Sequence, residues 1–203
     1  QALAFNDDGL KMFIVGNQND SIYQYTLSEN FDVSTASYAS KLLDIDATVT
    51  ESGGKNEDSP TGVAFNDDGL KMFIVGNERD SVHEFTLTEN FDVSTASFVD
   101  AFSVSSQESE PTGIAFNDDG LKMFIVGSNG DDVNEYKLSV NFDVSTASFV
   151  DAFSVSSQDD DPRDIAFDPS GRYMFIVGDQ GNDVNVYKLS EPFDVSTAVV
   201  QSG

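Results

Sequence analysis

Ala-Phe-Asn-Asp-Asp-Gly-Leu-Lys-Met-Phe-Ile-Val-Gly stands at residues 4–16, 64–76 and 115–127, letter for letter, and a looser copy occupies 166–178. Each copy reads as two short strands around a tight turn: Ala-Phe, then Asn-Asp-Asp-Gly, then Met-Phe-Ile-Val, a run too short for a helix and partly β-branched. In the fourth copy the turn is Asp168-Pro169-Ser170-Gly171. Proline at the second position suits a type I turn, and glycine at the last suits the positive φ that follows it. Two different sequences therefore specify one hairpin.

Working outward, the phenylalanine before the turn recurs as Phe5, Phe65, Phe116 and Phe167, at spacings of 60, 51 and 51 residues. The same offsets relate Phe31, Phe91, Phe142 and Phe193, each opening Phe-Asp-Val-Ser-Thr-Ala. Four tandem repeats of this length match propeller blades and exceed the leucine-rich and helical-pair repeats. No stretch carries the i, i+3, i+4, i+7 apolar pattern of a helix. Only Asp-Val-Ser-Thr-Ala suggests a single helical turn, capped by its Asp.

In the third repeat the expected strands are 113–116, 121–127, 132–138 and 148–155. The third of these alternates, with Tyr136 and Leu138 on one face and Glu135 and Lys137 on the other, as a half-exposed strand does. The second has no polar alternation from Met123 to Val126 and reads as buried on both faces. The expectation is an all-β chain: a β-propeller of four blades, each a four-stranded antiparallel meander with its first strand innermost. Residues 1–203 form one domain, with blades at about 1–58, 59–109, 110–160 and 161–203. A near-symmetric ring would bury Phe5, Phe65, Phe116 and Phe167 equivalently. Each blade would be continuous in sequence, the last strand at 197–201.

The hairpin, above all Ala166-Phe167-Asp168-Pro169-Ser170-Gly171-Arg172-Tyr173-Met174-Phe175-Ile176-Val177, resembles the Ala-Phe-Ser-Pro-Asp-Gly-Lys hairpin of the TolB, YncE and lactonase-like propellers. The resemblance covers every repeat. It implies the propeller fold and leaves function open among scaffolds, binding modules and enzymes. Those families usually close with six or seven blades, and no catalytic residue carries over.

Composition narrows the partners. Ten Lys plus Arg against 36 Asp plus Glu give a formal charge of −26, which repels phosphate backbones and anionic lipid and argues against nucleic acid. No apolar run approaches the roughly 18 residues of a membrane span. There is no Cys, hence no disulfide framework or thiolate metal site. Beginning at Gln1, the chain reads as a processed or excised piece. An extracellular or cell-surface location is favoured, and so is a monomer, with a dimer as the alternative.

The acidic residues gather in the connections that a propeller places on one face. The carboxylates proposed to converge on a cation are Asp58, Glu108, Glu110, Asp159, Asp160 and Asp161, with calcium as the candidate cofactor. The competing reading is a solvated acidic rim. Asp7-Asp8 and their copies belong to the turn chemistry. His83 stands where other repeats have Tyr23, Asn134 and Asn185, a tolerated substitution on a strand edge. Tyr25, Phe85, Tyr136 and Tyr187 read as blade core rather than a sugar platform.

Residues 91–107 and 142–158 are identical, so adjacent blades offer the same groups, whereas an active site needs different groups on one point. Only Arg163-Asp164, replacing Thr112-Gly113, breaks the pattern. Arg163 beside three Asp reads as a charge-balancing pair. A non-catalytic module binding a protein or carbohydrate is the preferred function, with a lactonase-like or other hydrolase as the alternative.

Overall fold

The computed structural model describes residues 2–16, 19–49, 57 and 59–201. The Asn-Asp-Asp-Gly turn sets the local geometry. Asn6 Oδ1 accepts the Lys11 amide at 2.8 Å, the Asn6 carbonyl accepts the Gly9 amide at 2.9 Å, and Gly9 has φ +66°. Phe31 then donates its amide to the Gly9 carbonyl, with φ +59° at Phe31 itself. A positive φ is unusual for an aromatic residue, yet Phe91, Phe142 and Phe193 repeat it. The reason is visible at the partner glycine, where any Cβ would overlap the phenyl ring. Asp32 and its copies Asp92, Asp143 and Asp194 cap the 3₁₀ turns that follow.

Four sheets result. Blade one holds β1 (Ala2–Phe5), β2 (Lys11–Gly16), β3 (Ser21–Thr26) and β4 (Ser37–Asp44), followed by a helical turn α1 (Ile45–Thr48). Blade two holds β5 (Pro60–Phe65), β6 (Lys71–Gly76), β7 (Ser81–Leu87) and β8 (Ala96–Ser103). Blade three holds β9 (Pro111–Phe116), β10 (Lys122–Gly127), β11 (Asp132–Leu138) and β12 (Ala147–Ser154). Blade four holds β13 (Pro162–Phe167), β14 (Tyr173–Gly178), β15 (Val184–Leu189) and β16 (Ala198–Val200). Every sheet is an antiparallel meander in chain order, and β16 pairs with β15 of its own blade, so each blade is continuous in sequence.

Blades meet through their innermost strands, β1 on β5, β5 on β9 and β9 on β13. Among the described residues no comparable contact joins β13 to β1. The four blades form an open arc of a propeller, not the closed near-symmetric ring expected above. Each junction repeats one packing scheme. Phe13 of blade one enters the Phe65–Phe91 pair, Phe73 the Phe116–Phe142 pair, and Phe124 the Phe167–Phe193 pair, with the nearest ring centroids 4.4–4.5 Å apart. Three apolar clusters, one per junction, constitute the core.

Two expectations change here. The second-strand phenylalanines Phe13, Phe73 and Phe124 are fully buried, while Phe5, Phe65, Phe116 and Phe167 are only half-buried. Both rings pack at the junctions, but only the second-strand ring is closed in on all sides. In β11 Glu135 is buried rather than solvent-facing. Its Oε2 accepts the Val195 amide of the next blade at 3.1 Å and its Oε1 pairs with Lys122 at 2.7 Å. Glu84 and Lys71 make the same latch onto Val144, and Gln24 reaches Val93.

Candidate active site at the axial mouth

The acidic face comes first, because the proposed cation ligands lie there. Glu108 is buried and its carboxylate accepts the amides of Glu110, Asn129 and Gly130 at 2.8, 3.3 and 3.1 Å. Asp159 does the same for Asp161 and Gly181, and Glu57 for Ser59, Glu78 and Arg79. These carboxylates are clasps. Each ties the connection entering a blade to the loop between that blade's second and third strands, replacing hydration by backbone donors.

The remaining candidates have different partners. Glu110 accepts the Ser128 hydroxyl, Asp160 is exposed, and Asp161 pairs with Arg163. Asp58 lies outside the described residues. Among the described residues no group of three or more acidic or histidine side chains is gathered as a metal site. The crowding of charge is nonetheless real: burial, then the carboxylates of Glu57, Glu108 and Glu110, push the Asp80 carboxyl up. Asp131 shifts the same way, from burial and then from Asp160, Asp132 and Asp161. His83 is not at a strand edge. It is fully buried in a central strand, with Nε2 3.5 Å from Glu57 Oε2.

At the axial mouth the repeat changes in charge. The Thr61 hydroxyl lies 2.7 Å from the Pro111 carbonyl of the next blade, and Thr112 stands 2.8 Å from Pro162. Blade four carries Arg163 at this position. Arg163 Nη2 sits 2.6 Å from Asp161 Oδ2 and 3.1 Å from Asp179 Oδ2. Thr61, Thr112, Arg163 and Asp179 line a cavity of ≈ 520 Å³ shared by three blades. Beside it Asp164 accepts the Ile165 amide at 2.9 Å, and burial raises its carboxyl above the usual range. Arg163 thus balances Asp161 and Asp179, and its guanidinium is held in place with part of its surface open to the cavity. The chemical content of the site is one fixed cation, two flanking carboxylates and two hydroxyls.

A sheet-after-sheet arc with its first strands on the axis defines a β-propeller. The family model "Lactonase, 7-bladed beta-propeller" matches residues 3–193. The chain belongs to that family. Among solved structures it is similar to a putative 6-phosphogluconolactonase from Bacteroides fragilis, at 15% identity and TM-score 0.63 over 99% of this chain and 52% of that one. A periplasmic gluconolactonase from Pseudomonas aeruginosa matches at 15% identity and TM-score 0.58, over 98% of this chain and 51% of that one. A protein from Lactobacillus plantarum matches at 14% identity and TM-score 0.63, over 99% and 53%. The chain spans about half the length of these structures. No curated protein matches it in sequence.

Proposed function

We propose that the protein acts as a lactonase-type hydrolase, taking a cyclic sugar ester at the axial mouth. The observation that carries this reading is the family match over residues 3–193. The mouth is favoured because there a charged residue, Arg163, takes the place of Thr61 and Thr112 in a cavity shared by three blades. Hydrolysis adds water to the ester carbonyl: the water oxygen bonds to carbon, the ring C–O bond breaks, and the departing ring oxygen takes a proton. Charge develops on the carbonyl oxygen, where a prepositioned guanidinium donor is most effective. Arg163 fills that role, and Asp179 is the carboxylate at hand to accept the water proton. A net charge of −26 disfavours a phosphorylated ester and favours an uncharged lactone.

The test is acid release from gluconolactone and from 6-phosphogluconolactone, each with calcium and with a chelator. Expected is faster turnover of the uncharged lactone, with Arg163→Ala lowering kcat/KM by about 10²–10³-fold. Stimulation by calcium would direct attention to the exposed acidic face around Glu110, Asp160 and Asp161. Rates equal to the blank on both substrates, with sugar binding retained, would return the protein to the class of binding modules.

A further inference from the structure

Asn129-Gly130 is the one Asn-Gly pair in the sequence, and it lies in the exposed turn between β10 and β11. Such a pair has a chemistry of its own, because a glycine amide carries no Cβ to hinder its approach to the neighbouring asparagine carbonyl. Here the fold ties down both reacting groups. The Gly130 amide donates to Glu108 Oε2 at 3.1 Å and the Asn129 amide to Oε1 at 3.3 Å, while Asn129 Nδ2 donates to Ser109 Oγ at 2.5 Å. Blades two and four build the same clasp around other residues. There the corresponding donors are the amides of Arg79, which follows Glu78, and of Gly181, which follows Gln180. Blade three alone sets an asparagine side chain before a glycine at this place.

We propose that Asn129 is a site of spontaneous deamidation whose rate is set by the Glu108 clasp. The Gly130 nitrogen attacks Asn129 Cγ: a C–N bond forms, the Cγ–Nδ2 bond breaks, and the Gly130 amide proton leaves with Nδ2 as ammonia. Water then opens the five-membered imide at either carbonyl, giving aspartate or isoaspartate, so the net change is water in and ammonia out. In the folded chain the attacking nitrogen must first give up its bond to a buried carboxylate, and hydrogen bonds to charged groups are the strong ones. The product puts a new carboxylate against Ser109, and isoaspartate adds a methylene to the backbone of the clasped turn. Both changes weaken the tie between that turn and the connection 108–110, on which Thr112 of the mouth directly follows. The reading rests on the clasp and not on hydrolysis at the mouth.

The test incubates the 203-residue chain in mildly alkaline buffer, folded or unfolded in urea, and follows by peptide mass mapping the gain that replaces NH2 by OH. In urea Asn129 should convert ahead of every other asparagine. In the folded chain its conversion should be slower by about tenfold or more, the factor for breaking one hydrogen bond to a charged group. Glu108→Gln keeps the size of the side chain but loses an acceptor oxygen, and should bring the folded rate most of the way to the urea rate, with folding checked by far-ultraviolet spectrum. Should that variant fail to fold, Ser109→Ala, which frees only the departing nitrogen, takes its place with a smaller rise expected. Gly130→Ala should suppress conversion in both states. Its Cβ would stand 3.3 Å from Glu108 Oε2, and blade two already carries Arg79 at this place, so the clasp accommodates it. Equal wild-type rates in the folded chain and in urea would overturn the proposal, as would an unchanged rate in folded Glu108→Gln or another asparagine leading in urea.

Discussion

One face of blade two, Phe73, Val75 and Val82, and the same face of blade four, Phe175, Val177 and Val184, are written in the same letters and have opposite fates. Val75 and Val82 are completely buried, while Val177 and Val184, their counterparts, are 41% and 59% exposed. Strand identity, register and residue type are shared, so the difference lies in whether another sheet follows. Burial in a propeller belongs to the pair of blades and not to the repeat. The same contrast separates Glu135, which latches onto Val195, from Val186 at the corresponding place in blade four.

The sharpest break of that comparison is a pair of truncations. Phe124→Ala, which empties a closed junction, should lower unfolding free energy by about 3–5 kcal/mol, and Phe175→Ala on the open face by about 1 kcal/mol or less. Urea denaturation of the two variants beside the parent chain measures both. Equal losses would mean that the blade-four face is covered in solution.

Next in size is the contrast between clasped and free carboxylates. Glu108→Ala strands three backbone amides and should cost on the order of 3 kcal/mol, since each buried donor left unsatisfied costs about 1–3 kcal/mol. Asp160→Ala should change stability by about 0.5 kcal/mol or less. Similar values for the two would show that Glu108 is hydrated and not a clasp.

Two aspartates should respond to pH with opposite sign. Burial alone raises the Asp92 carboxyl, but hydrogen bonds and charge from Lys41 and Ser94 outweigh it and hold the carboxyl low. Its contribution is present above the unfolded value of about 3.9 and vanishes as pH falls through the lower folded value. Asp92→Asn should therefore destabilise at neutral pH and converge with wild type in acid. Asp164 is raised by burial, so its favourable contribution exists below the unfolded value and is lost as pH rises through the folded one. Asp164→Asn should stabilise at neutral pH, again converging in acid. Thermal melts of the three proteins from pH 3 to 8 read the signs directly.

The smallest effect is global. With 36 acidic against 10 basic residues, melting temperature should climb with NaCl until the charges are screened. A flat curve would indicate that counter-charge is already bound on the acidic face.

Much of the fold was legible because the determinants are local and repeated. Asn-Asp-Asp-Gly against Asp-Pro-Ser-Gly identified the hairpin, Asp-Val-Ser-Thr announced its capped turn, and the 51-residue offset set the number of blades. The strands of blade three were readable to within two residues, as was the continuity of each blade. Glu135 was misjudged because alternation predicts which face a side chain takes and not whether a neighbouring sheet covers that face. His83 misled for the same reason, since its environment is Glu57 from a distant connection. That Glu108 and Asp159 meet backbone amides was not legible, because adjacency in sequence does not say which carboxylate turns toward which loop. One clue was available: Glu57, Glu108 and Asp159 occupy one repeat position, as expected of a structural clasp.

The amino-acid sequence by itself determined turns, strands and blade order, because each follows from backbone sterics and short-range hydrogen bonding within one repeat. The tertiary structure alone decided that the blades form an arc, that Glu108 and Asp159 are consumed by amides, and that Thr61, Thr112, Arg163 and Asp179 share one cavity. Those outcomes depend on the angle and contact between successive sheets. That geometry is set by side chains about 50 residues apart packing against one another, which no local pattern encodes.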